Sequence, residues 1–136
     1  MQDLCRVLLA DDHRAMQDRV RALLEPEFDV VGAAEDGRAL VDMARMLNPD
    51  VLVVDVSMPE LNGIDAVREI KRAGSTAKIV FLTVHEDPEI LELCFDVGAQ
   101  AYVIKSRLAS DLIPAIQFVL SGRTYVSPIL PRRLAG

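Results

Sequence analysis

Polar residues able to do chemistry stand where four short apolar runs end. Asp11 and Asp12 follow Val7–Ala10, Asp55 follows Val51–Val54, Thr83 follows Ile79–Leu82 and Lys105 follows Ala101–Ile104. Three carboxylates at close range repel one another unless a cation joins them. Hard oxygen donors without His or Cys suit Mg²⁺, which takes one or two carboxylates and keeps several waters. A lysine adds a second positive point able to hold a phosphoryl oxygen, and Thr83 offers a hydroxyl. A metal, a lysine, a hydroxyl and a free carboxylate together make an apparatus for phosphoryl transfer, with the carboxylate as nucleophile. Taken singly, each acid reads better as a solvated loop residue, and Asp12 as a cap for the first helix. Only their convergence points to a site.

That convergence depends on the elements. The unbroken runs are Val-Leu-Leu-Ala, Val-Leu-Val-Val, Ile-Val-Phe-Leu and Ala-Tyr-Val-Ile, with a fifth, interrupted run over Phe28–Ala34. Strands without polar alternation are buried on both faces, which implies a parallel sheet covered by helices on each side. Between them lie helical stripes: Met16, Val20, Leu23 and Leu24; Leu40, Ala44 and Leu47; Ile64, Val67 and Ile70; Ile90, Leu93, Cys94 and Val97; Leu112, Ile113, Ile116 and Leu120. Asp87-Pro88 reads as an N-cap followed by proline at the first helical position. Gly98 sits where a helix end wants a left-handed residue. Asp36-Gly37 and Asn62-Gly63 are turn dipeptides. Pro114 requires the fifth helix to begin at about Ser110 or Asp111. The predicted fold is α/β, a (βα)₅ doubly wound five-stranded parallel sheet. With the common order 2-1-3-4-5, the winding reverses between strands one and three, which brings Asp11, Asp12 and Asp55 together.

Length and composition bound the rest. The 136 residues suit one domain; 51% are hydrophobic and 26% charged, the balance of a globular protein. Aromatics are 4% and Trp is absent, so the core must be aliphatic. The net charge is −6. Arg123, Arg132 and Arg133 lie beyond Ser121 with no acid among them, so residues 1–121 hold 12 basic and 21 acidic side chains, a net of −9. Such a body repels nucleic-acid backbones. Cys5 and Cys94 make neither a disulfide framework nor a metal cluster, and both read as reduced, buried thiols. No signal peptide or membrane-length apolar run is visible, which predicts a cytoplasmic protein.

Four segments then resemble a known family: Leu8-Leu9-Ala10-Asp11-Asp12-His13, the run Val54-Asp55-Val56-Ser57-Met58-Pro59 through Gly63, Phe81-Leu82-Thr83-Val84, and Gly98 through Tyr102-Val103-Ile104-Lys105. They closely resemble the response-regulator receiver domain of two-component signalling, a CheY-like, flavodoxin-like fold, over about residues 4–121. The resemblance implies phosphorylation of Asp55 by a sensor histidine kinase, with Mg²⁺ held by Asp12, Asp55 and the Ser57 backbone carbonyl and by Asp11 through water. It implies Thr83 as a switch hydroxyl, Tyr102 as an aromatic that turns inward with it, and Lys105 as the partner of the phosphoryl group or the free carboxylate. Ser57 and His85 occupy places where the family tunes attack by water. His13 reads as a helix-start residue near the site.

Lys105 is followed by Ser106 where the family often has proline, which predicts a trans bond there. Val84 replaces a small residue and narrows access to the phosphoryl site. Both features are similar to those of the NarL/FixJ-type transcriptional regulators, as is the tail Gly122-Arg123-Thr124-Tyr125-Val126-Ser127-Pro128. The expected organisation is a receiver over residues 1–121 and a linker over 122–136 leading to an absent helix-turn-helix output domain. The expected behaviour is phosphoacceptance rather than enzymatic turnover, homodimerisation on phosphorylation and no direct DNA or membrane binding. The alternatives are a stand-alone receiver and, from another class, a Mg²⁺-dependent aspartyl-phosphate hydrolase. The hydrolase reading lacks a second acid two positions after Asp55 and room for a cap.

Overall fold

The computed structural model describes residues 4–128. Strands and helices alternate: β1 (Arg6–Ala10), α1 (Arg14–Leu24), β2 (Asp29–Ala34), α2 (Gly37–Leu47), β3 (Val51–Asp55), α3 (Gly63–Arg72), β4 (Lys78–Thr83), α4 (Pro88–Asp96), β5 (Ala101–Ile104) and α5 (Leu108–Leu120). A sixth strand, β6 (Tyr125–Val126), follows. All pair in parallel in the order β2-β1-β3-β4-β5-β6, so the reversal falls between β1 and β3 as expected.

Successive strand side chains point to opposite faces, and here both faces are buried. Leu8, Leu52, Val54, Phe81 and Tyr102 pack with Leu40, Val67 and Ile70 beneath α2, α3 and α4. Val7, Leu9, Val53, Leu82 and Val103 pack with Val20, Leu24, Leu112 and Ile116 beneath α1 and α5. Truncating one of these side chains to Ala costs about 2–5 kcal/mol. An exposed pair such as Arg38–Glu69 contributes about 0.2–1 kcal/mol. The aliphatic core therefore holds the fold.

The helix starts follow local chemistry. Asp36, Asn62 and Asp87 each accept a backbone N–H of the first turn, and Pro88 opens α4. Gly98 takes the left-handed conformation past the end of α4 (φ +107°). Cys94 is buried and Cys5 half-buried, and burial pushes their thiols up to about 12 and about 11.

Four expectations need correcting. The sheet has six strands rather than five, because Tyr125 and Val126 extend it beyond β5. A 3₁₀ turn over Lys105–Arg107 leads directly into α5, which starts at Leu108 rather than near Ser110. Pro114 accordingly lies inside the helix; Ser110, whose carbonyl loses the proline's missing donor, is exposed to water. Finally, the stripe expected on α4 is barely covered: Cys94 is buried, Ile90 and Val97 are half-buried, and Leu93 is exposed. The Lys105–Ser106 bond is trans.

Candidate functional site

The C-terminal ends of β1, β3, β4 and β5 converge. Asp11 follows β1 and is 1% exposed, Asp55 ends β3 at 5%, and Thr83 ends β4 at 1%. Lys105, just past β5, reaches across the rim. Its Nζ lies 3.0 Å from Asp11 Oδ2 and 3.0 Å from Asp55 Oδ2, and donates to both. The other carboxylate oxygens take backbone donors: His13 N–H bonds Asp11 Oδ1 at 2.8 Å, and Ser57 N–H bonds Asp55 Oδ1 at 3.2 Å. A cleft of about 410 Å³ opens above Asp55, lined by Asp12, His13, Ser57, Met58, Pro59, Thr83, Val84, His85 and Lys105.

Burial pushes the Asp55 carboxyl above the usual carboxylate range, and the bond and charge of Lys105 offset this only in part. Burial alone would lower the Lys105 ammonium, but its bonds to Asp11 and Asp55 outweigh it and raise it above its ordinary value. Lys105 thus stays charged at neutral pH and ties two carboxylates that would otherwise repel. Asp12 stands outside this bridge, exposed, with His13 Nδ1 at 3.1 Å from its Oδ1. Ligand atoms of Asp11, Asp12, His13 and Asp55 all lie within 4.8 Å of one another.

Thr83 Oγ1 accepts the His85 backbone N–H at 2.9 Å. The Tyr102 ring, expected to turn inward on phosphorylation, is already inward and fully buried, and its hydroxyl donates to the His85 carbonyl at 2.8 Å. Burial pushes that phenol up to about 12. His85 therefore contributes two backbone bonds and is one of the residues that line the cleft. Val84 stands at the mouth, 70% exposed.

Residues 7–117 match the family description "Response regulator receiver domain". The chain belongs to the response-regulator receiver family. The receiver is 33% identical over 131 residues to the transcriptional regulatory protein DegU of Brevibacillus brevis, covering 95% of this chain and 56% of that protein. It is 40% identical over 117 residues to the transcriptional regulatory protein PdtaR of Mycobacterium tuberculosis, covering 85% and 57%. A solved LuxR-family two-component response regulator from Aurantimonas superposes with a TM-score of 0.88 at 34% identity, covering 93% of the receiver and 91% of that chain. The chain thus spans little more than half the length of these curated relatives.

Every residue expected at the site lies in or beside the cleft, with Tyr102 beneath it. The sequence pattern misses Gln17. It is 7% exposed, and its Nε2 donates to the Asp11 carbonyl at 2.7 Å and more distantly to the Ala34 carbonyl at 3.4 Å. Part of the signal is there, because Gln17, Val20 and Leu24 form the buried face of α1 at helical spacing. His13, expected as a helix-start residue near the site, places its Nδ1 3.4 Å from Asp11 Oδ1 and 3.1 Å from Asp12 Oδ1.

Proposed function

We propose that this receiver accepts a phosphoryl group on Asp55 from the phosphohistidine of a sensor histidine kinase and answers by rearranging around Thr83, Tyr102 and Lys105. The observation that supports this most is Lys105 held between Asp11 and Asp55 at the floor of an open cleft. In the transfer, one Asp55 carboxylate oxygen forms a bond to phosphorus as the donor's P–N bond breaks, and the donor imidazole keeps that bond's electron pair. Lys105 then exchanges a carboxylate oxygen for a phosphoryl oxygen, and the Thr83 hydroxyl bonds another.

The donor set fits Mg²⁺. It is rich in hard carboxylate oxygens, and Asp12 lies outside the lysine bridge at the edge of the cleft. Asp12, Asp55 and the Ser57 carbonyl would hold the ion, with Asp11, which does not line the cleft, acting through water. Bound there, Mg²⁺ supplies charge neutralisation for the incoming phosphoryl group. Asp12→Asn is expected to weaken Mg²⁺ binding more than Asp11→Asn, by about tenfold or 1.4 kcal/mol between the two. Chemical-shift titration checks the order, and the reverse order removes the ligand roles.

Thr83→Ala is expected to become phosphorylated yet lose its response, because the hydroxyl that links the phosphoryl group to the loop before α4 is gone. A hydrogen bond to a charged group contributes about 1.5–3 kcal/mol, enough to set the balance of two conformers. The readout is the chemical-shift change on adding Mg²⁺ and the phosphoryl mimic beryllofluoride. Wild-type changes in α4 and β5 would sink the role of Thr83.

The output proposed is transcriptional, through a DNA-binding domain outside this chain, with phosphorylation pairing two receivers through α4, β5 and α5. Two relatives named as transcriptional regulatory proteins support this reading, as does the net of −9 over residues 1–121, which opposes DNA binding by the receiver itself. Among the described residues no helix is long and apolar enough to cross a membrane. We assign the receiver to the cytoplasm.

A further inference from the structure

We propose that Asp111 is a positioning residue that seats Tyr125–Ser127 against β5 and ties that seating to the state of Lys105. The inference rests on the phosphoacceptor role proposed for Asp55. Asp111 is 2% exposed, lies in the first turn of α5, and takes no part in the cleft. A buried carboxylate is costly unless hydrogen-bonded. This one is fully engaged: Oδ2 accepts Ser127 Oγ–H at 2.6 Å and Arg107 Nε–H at 2.9 Å, and Oδ1 accepts Ser110 Oγ–H at 2.8 Å.

Ser127 is the hinge of the arrangement. It is 1% exposed, its N–H donates to the Tyr102 carbonyl at 2.9 Å, and its Oγ accepts the Ile104 N–H at 3.1 Å. One residue therefore extends the β5 ladder on its backbone and closes it with its side chain. A two-residue parallel strand is too short to hold itself in water, so the Asp111–Ser127 bond decides whether the segment stays. The Tyr125 ring meets the Phe118 ring edge-on at 5.5 Å, and the Arg123 guanidinium lies 5.6 Å from the same ring. Those contacts add a smaller, more exposed grip.

The link to the cleft is one turn of 3₁₀ helix. Lys105 begins it with its ammonium on Asp11 and Asp55, and Arg107 ends it with its guanidinium on Asp111. A phosphoryl group on Asp55 carries its oxygens further into the cleft than the carboxylate oxygen Lys105 now holds. As Lys105 follows them, the turn shifts, Arg107 loosens from Asp111, and Ser127 loses part of its anchor. Activation therefore unseats β6. By linkage, anything that unseats β6 strengthens binding at Asp55 by the same factor.

The experiment uses the whole 136-residue chain and reads hydrogen exchange of the Tyr125 and Ser127 amides alongside affinity for beryllofluoride with Mg²⁺. Activation of wild type is expected to speed those two amides by about fivefold or more, the lower end of ordinary coupling. Ser127→Ala is expected to speed them without activation and to tighten beryllofluoride binding by a matching factor. Ser127→Thr, which keeps the bridging oxygen, is expected to restore both values. Asp111→Asn is expected to act in the same direction as Ser127→Ala. If wild type binds beryllofluoride but the two amides exchange at an unchanged or slower rate, the coupling is wrong and the phosphoacceptor reading stands. The coupling is equally wrong if Ser127→Ala frees the segment without changing beryllofluoride affinity. If wild type does not bind beryllofluoride at all, the phosphoacceptor reading falls and takes this inference with it.

Discussion

Asp55→Asn leaves the receiver without a phosphoryl group: after incubation with acetyl phosphate and Mg²⁺, intact-mass spectrometry shows the unmodified mass alone. Asp55 and Asp12 line the cleft, whereas Asp11 does not, and Asp55 is the buried one of the two. An amide at position 55 keeps an oxygen for the Ser57 N–H but is no nucleophile toward phosphorus. The fold is expected to survive, because Lys105 retains Asp11 as its charged partner and the substitution removes a carboxylate that burial already disfavours. Loss of the phosphoryl group is therefore separable from loss of structure, and a cooperative thermal transition near that of wild type is the control. An undiminished phosphoprotein peak from Asp55→Asn would move the acceptor elsewhere.

Gly63→Ala carries a large expected loss of stability, although it adds one methyl group. A Cβ at position 63 would lie 2.1 Å from the Asp55 carbonyl oxygen and 3.0 Å from the Asp55 carbonyl carbon. Both are backbone atoms of the strand end that presents Asp55, and neither can swing aside as a side chain would. Gly63 N–H also holds the Val56 carbonyl at 2.8 Å, so α3 and the end of β3 are pinned where the methyl would go. Relief requires moving the α3 start away from β3. Overpacking of this kind costs about 1–3 kcal/mol in a side-chain environment and more against fixed backbone. A loss of about 3 kcal/mol or more in urea unfolding is expected, together with slower phosphorylation at position 55. A natural contrast is Gly74, where the added Cβ meets nothing within 4 Å and only the left-handed φ of +98° opposes it, at roughly 1–2 kcal/mol. If Gly63→Ala costs less than Gly74→Ala, the close packing at β3 does not govern the site.

Much of this architecture is legible in the residues because the strands are buried on both faces. A run such as Val51–Val54 has no polar alternation to confuse it, and its first polar residue marks where it emerges at the rim. That rule places Asp11, Asp55, Thr83 and Lys105 correctly without any knowledge of the fold. It fails where periodicity has too few residues to act. Tyr125 and Val126 form a strand of two residues, and its support comes from Asp111 and Ser127, polar residues that any pattern assigns to the surface. Asp111 reads as a helix start but is a buried acceptor inside α5. Gln17 is hidden for the same reason, as an amide on an otherwise apolar face. On α4 the difficulty runs the other way. Leu93 fits an apolar stripe, but the helix packs loosely enough to leave it exposed, the mark of an element held by few buried contacts.

The sixth strand also changes where the receiver can safely be cut. Its two residues shield the outer rim of β5, whose Ala-Tyr-Val-Ile has high β propensity and carries no charge. A fragment ending at Leu120 would bare the unpaired N–H and C=O groups of that strand and invite edge-to-edge association. For anyone grafting this receiver onto a new output, the joint belongs after Pro128, not at the end of α5.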